Sequence, residues 1–232
     1  MINKFLINKM IKTFEDNEHF IRSCINDYCK DKNNLKILDV GCGDGSMTSK
    51  FLNGIQDKIH EVYGLDNMDK NGNNLIKYTK INLEEGKFPF NDNFFDIVYS
   101  NQVIEHILNK DNYISECNRV LKNGGLFIIS TENISSLDNI VSLICGQEPL
   151  SQHTSSKYMT GSFLSPHFME KIEDENVLFL HKNVCSYYGL KRLAQINGFT
   201  KLKIKSFGNV FKLMEKIFPI YNRLIVVYGI KQ

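Results

Sequence analysis

Three glycines and two aspartates stand directly behind a short apolar run in the segment ILDVGCGDG, residues 37–45. Glycines cluster where the backbone turns sharply, or where another molecule comes too close for a side chain to fit. Between a strand and a helix, such a turn lets the backbone lie against a ligand, and the N–H groups at the helix start favour oxygen-bearing or anionic groups. The segment therefore predicts a ligand site, for which a nicotinamide or flavin dinucleotide is one candidate.

Short apolar runs alternate with helical patterns around this segment. The predicted strands are residues 35–40, 61–66, 78–83, 94–100 and 124–131, and the predicted helices between them are 46–52 and 111–121. Parallel neighbouring strands need a crossover connection, which is normally a helix. The alternation therefore predicts the α/β class, with a parallel sheet covered on both faces. The Gly-Gly pair at 124–125 is expected to end the preceding helix.

The two ends of the chain and its middle differ from this alternating core. Residues 2–29 carry apolar positions at helical spacing and predict one or two amphipathic helices, which either cover the ligand pocket, the favoured interpretation, or pad one face of the sheet. Residues 131–181 are polar and irregular, as in a functional lid or a disordered loop. One domain is predicted, comprising an N-terminal helical cover (1–30), a cofactor-binding core (35–131), a cap insertion (132–181) and a C-terminal helix with antiparallel strands (186–232).

Composition argues against several classes of protein. The 28 basic and 26 acidic residues give a net charge of +2, which does not indicate a nucleic-acid-binding protein. No stretch reaches the roughly 18 apolar residues of a membrane span, and the N-terminus lacks a secretion signal. The six scattered cysteines are interpreted as reduced thiols of a cytoplasmic protein. No two of the six histidines stand three to five positions apart, so no metal site is predicted, although a carboxylate–water magnesium site would escape this test. Nothing in the sequence indicates an oligomeric state.

Four ordered blocks resemble one known family. The GxGxG pattern preceded by Asp39 resembles motif I of the class I S-adenosylmethionine-dependent methyltransferases, and Asp66 ends the second predicted strand, as in that family. FPFNDNFFDIVYSNQVIEHI (88–107) resembles the family's fourth-strand block, and ECNRVLKNGGLFIIST (116–131) its next helix and strand. The resemblance covers residues 35–131. It implies a Rossmann-like, doubly wound, seven-stranded and mostly parallel sheet with an inserted substrate cap, and S-adenosyl-L-methionine as cofactor with S-adenosyl-L-homocysteine as product.

Cofactor contacts follow from the resemblance residue by residue. Asp39 orients the glycine loop or reaches the methionine amino group through water, unless it merely caps a turn. Asp66 accepts hydrogen bonds from both ribose hydroxyls. Asn82 stands where the family commonly has an acidic residue at the adenine amino group. The complete predicted set is Asp39, Gly41, Cys42, Gly43, Gly45, Asp66, Asn67, Asn82, Leu83, Ser100, Asn101 and Gln102. Within it, Cys42 is interpreted as a packing residue and not as a nucleophile.

The catalytic prediction rests on Glu105 and His106, just past the fourth predicted strand. Methyl transfer is an in-line displacement, so the enzyme mainly aligns a nucleophile and removes its proton. A histidine suits a general base at neutral pH, and His106 is predicted in that role; the alternative is that it only packs or caps the next helix. His153, His167 and His181 are candidate substrate contacts, or solvated loop histidines, and His181 matches a recurrent histidine of similar bacterial methyltransferases.

The predicted reaction is O-methylation of a small metabolite or glycan precursor, because the chain beyond residue 131 looks like family members associated with surface-glycan or other small-molecule tailoring. Two alternatives stay open. An NAD-type oxidoreductase would carry GxGxxG, but Ser46 occupies the position of its third glycine. A non-catalytic S-adenosylmethionine-binding protein on the same fold is the other alternative, because a fold alone does not establish chemistry.

Overall fold

A seven-stranded sheet with helices on both faces organises the part of the chain that the computed structural model describes, residues 2–69, 74–162, 169–172, 180–208 and 212–232. The strands are β1 (Leu35–Val40), β2 (Ile59–Asp66), β3 (Ile76–Lys80), β4 (Phe95–Asn101), β5 (Leu121–Glu132), β6 (Lys201–Phe207) and β7 (Leu224–Ile230). The helices are α1 (Ile2–Cys29), α2 (Ser46–Leu52), α3 (Lys110–Val120), α4 (Leu137–Ile144), α5 (Tyr187–Ile196) and α6 (Lys212–Ile217). None of the described helices is both long and apolar enough to cross a bilayer.

The strand order is β3-β2-β1-β4-β5-β7-β6. Strands β1 to β5 pair in parallel, whereas β7 is antiparallel to both of its neighbours. The chain winds outward in one direction from β1 to β3 and in the other from β4, so the topological switch lies between β1 and β4. In open α/β sheets, ligands bind in the crevice beyond the carboxyl ends of the strands at this switch. The predicted fold class is confirmed.

Both faces of the sheet are buried. Leu38 and Val98 point to a face covered by α3 and α5, whereas their neighbours Ile37 and Ile97 point to a face covered by α1 and α2. Successive side chains of a strand alternate between faces, so a strand buried on both sides needs a nearly continuous apolar run. That requirement explains the runs in the sequence from which the strands were predicted.

The N-terminal segment is one helix, α1. Its Ile21, Ile25 and Cys29 are fully buried against the sheet, so this part of α1 pads a face. One turn earlier, the fully buried Asn17 donates through Nδ2 to Oδ1 of Asn101 at 3.2 Å. The helix therefore also reaches the carboxyl end of β4, and its covering of the ligand pocket stays a prediction.

Two predicted boundaries and one predicted irregular region are wrong. Strand β3 ends at Lys80, and residues 82–85 form a turn. The Gly124–Gly125 pair lies inside β5, close to an irregularity in its register with β4, and the preceding helix already ends at Val120. Helix α4 occupies part of the segment predicted to be irregular. Its apolar residues Leu137, Ile140, Val141 and Ile144 stand at helical spacing, but its buried residues are the polar Asn139 and Ser142.

Candidate active site

The glycine loop between β1 and α2 has the backbone that only glycine adopts easily. The φ angles of Gly41, Gly43 and Gly45 are +86°, +51° and +79°. The N–H of Gly41 donates to the carbonyl oxygen of Leu65 at 2.7 Å, which fastens the loop to the end of β2. A residue with a side chain costs roughly 1–2 kcal/mol in the left-handed region. Glycine is therefore favoured at all three of these positions.

The space around these glycines differs. A Cβ atom at Gly41 would lie 2.3 Å from Cγ2 of Val103, so Gly41 is required by packing inside the protein. A Cβ atom at Gly43 would meet nothing within 4 Å. Gly43 thus presents bare backbone to open space at the switch of the sheet, as a site for a closely approaching ligand requires. The loop fits the cofactor that the resemblance implies.

Asp66 ends β2 and faces the same loop. Its Oδ2 accepts from the N–H of Gly43 at 2.8 Å, and its Oδ1 from the N–H of Met68 at 3.1 Å. Each carboxylate oxygen has two acceptor sites, so both retain capacity for ligand hydroxyls. A carboxylate at the end of β2 and hydrogen-bonded to the glycine loop is placed as the resemblance implies for a ribose contact.

Asp39 lies beneath the loop, not at its surface. Its Oδ2 accepts from the hydroxyls of Thr48 on α2 and Tyr99 on β4, each at 2.6 Å. Burial raises the pKa of this carboxyl to about 6, although the two hydroxyls favour the charged form. Asp39 therefore ties α2 to β4 and holds the loop in position. Of the two predicted roles, the contacts of the side chain match that of orienting the loop.

We expect Asp39→Asn to flatten the pH dependence of stability. Because the pKa of Asp39 is about 6 in the folded state, against 3.8 for an ordinary aspartate, the native protein holds a proton that the unfolded chain has released across this window. Stability should fall as the pH rises from about 4 to 6, by an amount on the order of 3 kcal/mol from this group. An asparagine Oδ1 still accepts from both hydroxyls without this penalty.

Urea unfolding at pH 4.5 and 7 tests this expectation. The free energy of unfolding should change less with pH in Asp39→Asn than in the wild type. The exposed Asp57→Asn is the matched control and should follow the wild type. Equal pH dependence in all three proteins would contradict the assignment.

Several other predicted cofactor residues have side chains that are buried or already hydrogen-bonded within the protein. The Ser100 hydroxyl is buried and lies 2.7 Å from the hydroxyl of Tyr113, and Leu83 packs in the core. Oδ1 of the exposed Asn82 accepts from the N–H of Glu84 at 3.1 Å.

Two more members of the predicted set lie at the end of β2 and in the loop. Asn67 is exposed next to Asp66. Cys42 is buried, and its Sγ would lie 2.5 Å from a Cβ at Gly64, as the packing interpretation of this cysteine requires.

The end of β4 is held by a polar network and by an unusual backbone. Oδ1 of Asn101 accepts from the Ser130 hydroxyl at 2.6 Å, and Nε2 of Gln102 donates to the same hydroxyl oxygen at 3.3 Å. Gln102 has a φ of +57°, which is uncommon outside glycine and is found where surrounding contacts impose it, often at functional sites. This turn directs the chain from β4 into the short 3-10 helix Ile104–His106.

Glu105 is buried at the start of the catalytic segment that the sequence predicts. Its Oε2 accepts from the hydroxyl of Thr131 at 2.8 Å, whereas Oε1 is fully buried and has no hydrogen-bond partner among the described residues. Burial raises the pKa of Glu105 to about 7. Its carbonyl oxygen accepts from the N–H groups of Lys182 and Asn183 at 2.9 and 3.2 Å, which fastens the end of the cap region to this turn.

Three histidines that are distant in sequence lie side by side, and two of them, His106 and His181, are close to Glu105. The ring centroids of His106 and His181 are 4.9 Å apart, and those of His181 and His153 are 5.2 Å apart. Nδ1 of His106 lies 3.1 Å from the carbonyl oxygen of Leu180. Burial lowers the pKa of His106, and that of His153 to about 4, so both rings are neutral at pH 7. His167, the remaining predicted substrate contact, lies outside the described residues.

Sequence reasoning missed the residues that hold this cluster in place. Thr131 and the carbonyl groups of Ser151 and Leu180 orient Glu105, His181 and His106. Every residue has a backbone carbonyl group, so the sequence does not show which carbonyl will orient a side chain. A threonine at the end of a strand is common and does not by itself indicate such a role. The spacing of histidines along the chain does not predict this cluster, because its members come from separate segments.

Several known proteins are similar to this chain in sequence. Residues 38–129 match the family model described as a methyltransferase domain. The mitochondrial ubiquinone biosynthesis O-methyltransferase of Rattus norvegicus is 30% identical over 160 residues, which cover 62% of this chain and 44% of that protein. The ubiquinone biosynthesis O-methyltransferase of Rickettsia bellii is 26% identical over 171 residues, 68% of each chain. The chain spans less than half the length of the first curated relatives that it matches.

Solved structures share the fold at low sequence identity. A putative S-adenosylmethionine-dependent methyltransferase from Listeria monocytogenes has a TM-score of 0.57 at 16% identity, over 92% of this chain and 97% of that one. Haemonchus contortus phosphoethanolamine N-methyltransferase 2, in complex with phosphomonomethylethanolamine and S-adenosylhomocysteine, has a TM-score of 0.56 at 15% identity, over 92% and 52%. This chain therefore has the Rossmann-like fold of these methyltransferases, and its residues 38–129 match the methyltransferase domain family.

Proposed function

We propose that this protein transfers a methyl group from S-adenosylmethionine to an oxygen atom of a small molecule. The observation that carries the proposal is the placement of two sites on neighbouring strands. The glycine loop with Asp66 follows β1 and β2, and the Glu105 and His106 turn follows β4, which pairs directly with β1. A cofactor side and an acceptor side thus meet across the switch of the sheet.

The cofactor side is assigned to this chain's residues as follows. The bare backbone of Gly43 lies against the bound cofactor, and Gly41 and Gly45 shape the loop. Asp66 accepts hydrogen bonds from the ribose hydroxyls, and the segment Asn82–Leu83 frames the adenine. When bound, S-adenosylmethionine supplies an electrophilic methyl group, so the protein has to position the acceptor and take up its proton.

The acceptor side is the cluster of Glu105, His106, His153 and His181. A carbonyl oxygen only accepts hydrogen bonds, so the contact with Leu180 places the proton of the neutral His106 ring on Nδ1 and leaves Nε2 as an acceptor. In its simplest form, activation is general-base catalysis by this Nε2. His153 and His181 are then substrate contacts. The named relatives act in ubiquinone biosynthesis as O-methyltransferases, which supports an oxygen acceptor here.

Transfer of a labelled methyl group from S-adenosylmethionine tests the proposal. The acceptor panel should contain phenols, vicinal diols, sugar hydroxyls and amines. We expect turnover with an oxygen acceptor, and we expect His106→Gln to reduce kcat by about 100-fold or more, in the range of general-base catalysis. The affinity for S-adenosylhomocysteine should stay within about twofold.

The exposed His60→Gln is the matched control and should keep the wild-type rate. Binding of S-adenosylhomocysteine without turnover on any acceptor would instead favour the non-catalytic binding protein. Stabilisation by NADH and not by S-adenosylhomocysteine would favour the oxidoreductase. Either result contradicts the proposal.

We further propose that the protein works in a reducing compartment such as the cytoplasm. None of the six cysteines forms a disulfide, and four of them pack in the two apolar cores. Disulfides persist mainly in oxidising compartments, so a chain whose six cysteines form no disulfide suits a reducing one.

A further inference from the structure

The cluster around Glu105 contains ligand atoms in close proximity. Glu105, His106 and His181 each offer one nitrogen or oxygen atom, and these three atoms lie within 4.8 Å of one another. Ligand atoms about 2.0–2.2 Å from a zinc ion are roughly 3.4 Å apart, so an approach of at most about 1.4 Å between these atoms brings them to the spacing of three zinc ligands. Two histidines with one carboxylate form a recurrent ligand set for catalytic zinc and for other first-row transition metals.

An unsatisfied buried carboxylate oxygen indicates independently that something binds here. Glu105 is 1% exposed, and its Oε1 has no hydrogen-bond partner among the described residues. Leaving such a group unpaired costs about 1–3 kcal/mol or more when it is charged. Nδ1 of His153 is likewise buried without a partner in the described part of the chain, and its ring lies 5.2 Å from that of His181. A cation would compensate the first of these groups directly.

The two histidines are oriented as metal ligands usually are. Nδ1 of His106 lies 3.1 Å from the carbonyl oxygen of Leu180, and Nδ1 of His181 lies 2.8 Å from that of Ser151. Oε2 of Glu132 also lies 3.5 Å from Nδ1 of His181. These oxygens accept hydrogen bonds, so each Nδ1 carries a proton, and Nε2 of the neutral ring has a free lone pair. Ligating histidines typically donate their second N–H to a carbonyl or carboxylate, which fixes the ring and the tautomer.

We propose that Glu105, His106 and His181 bind a divalent first-row transition cation such as Zn²⁺ on the acceptor side of the site. The proposal rests on the proposed methyltransferase function for its chemical role, but not for the binding itself. Magnesium is a poorer occupant because it prefers oxygen ligands in octahedral geometry.

The cation gives the cluster a second way to activate the acceptor. Three protein ligands leave at least one coordination position open for the acceptor's hydroxyl oxygen, whose pKa falls on the metal. The hydroxyl releases its proton to solvent, a C–O bond forms to the methyl carbon, and the S–CH₃ bond breaks with its electron pair staying on sulfur. The products are the methyl ether, S-adenosylhomocysteine and one proton. His106 then acts as a ligand and not as the base.

Titration of the purified, metal-stripped chain with Co²⁺ and Zn²⁺ tests the site. Co²⁺ absorption reports the geometry, and calorimetry reports the affinity and stoichiometry. We expect one cation per chain, and we expect Glu105→Gln and His181→Gln each to weaken binding at least tenfold. The exposed His60→Gln should bind as the wild type does. Titration with Mg²⁺ should show at least tenfold weaker binding.

S-adenosylhomocysteine affinity and circular dichroism, measured on the same samples, separate the possible failures. Normal S-adenosylhomocysteine binding without saturable cation binding overturns the cation site and leaves the proposed function standing. Equal cation affinity in the wild type and both cluster variants also overturns the site. Saturable cation binding without S-adenosylhomocysteine binding supports the site and contradicts the proposed function. Glu105→Gln nearly preserves shape, so its loss of binding, with an unchanged circular dichroism spectrum, cannot come from misfolding.

Discussion

Replacing Gly43 with alanine is expected to weaken the binding of S-adenosylhomocysteine by about 100-fold or more while leaving the protein folded. In this structure a Cβ at Gly43 meets nothing within 4 Å, so the unliganded protein accommodates the methyl group. The cost to folding is limited to the φ of +51°, roughly 1–2 kcal/mol. The same methyl group occupies the space into which the cofactor must come. Calorimetric titration and thermal unfolding measure the two effects separately.

Two other glycines provide controls for this prediction. Gly41→Ala places a Cβ 2.3 Å from Cγ2 of Val103, so it should lower the stability of the unliganded protein. Gly124→Ala has a φ of +78° and open space, but it lies near the amino-terminal end of β5, away from the site, so binding should be unchanged. If Gly43→Ala bound S-adenosylhomocysteine as well as Gly124→Ala did, the loop would not be the cofactor site.

Replacing Asp66 with alanine is expected to have a comparable effect on binding, again about 100-fold or more. The substitution removes the acceptor for the ribose hydroxyls, and it also removes the carboxylate that accepts from the Gly43 N–H at 2.8 Å. Asp66→Asn retains one acceptor oxygen and loses the charge, so it should lose less, about tenfold.

The matched control for Asp66 is Asp69→Ala. Asp69 is an exposed carboxylate three residues further along the chain, paired with Lys80 at the surface. Its loss should leave the affinity for S-adenosylhomocysteine within about twofold of the wild type. If Asp66→Ala bound S-adenosylhomocysteine with wild-type affinity, Asp66 would not be the ribose contact.

Much of the fold could be predicted because its determinants are local. The apolar run at β1, the glycines behind it and the next strands form blocks whose order along the chain implies a doubly wound sheet. Helix α4 is absent from the prediction, although Leu137, Ile140, Val141 and Ile144 stand at helical spacing. The helix instead buries Asn139, whose side chain hydrogen-bonds to Ser151 and to the carbonyl of Asn133, contacts that are made only in the folded chain.

The candidate site also has a part that the sequence predicts and a part that only the fold brings together. The glycine loop and Asp66 lie within one motif, and their placement was predictable. His181 was singled out through the resemblance, but its approach to His106 depends on how the cap region returns to β4, which no local pattern encodes. The prediction of no metal site rested on spacing along the chain, and spacing says nothing about residues that only the fold brings together.

The most direct test of the central claim is a crystal structure of the protein grown with S-adenosylhomocysteine. The account predicts the nucleoside in the crevice beyond β1 and β2, with its ribose hydroxyls within about 3.2 Å of the Asp66 carboxylate and its amino-acid end against the backbone of Gly43. Density for the compound at any other place, or a crevice filled by the protein's own side chains in the presence of saturating compound, would contradict it.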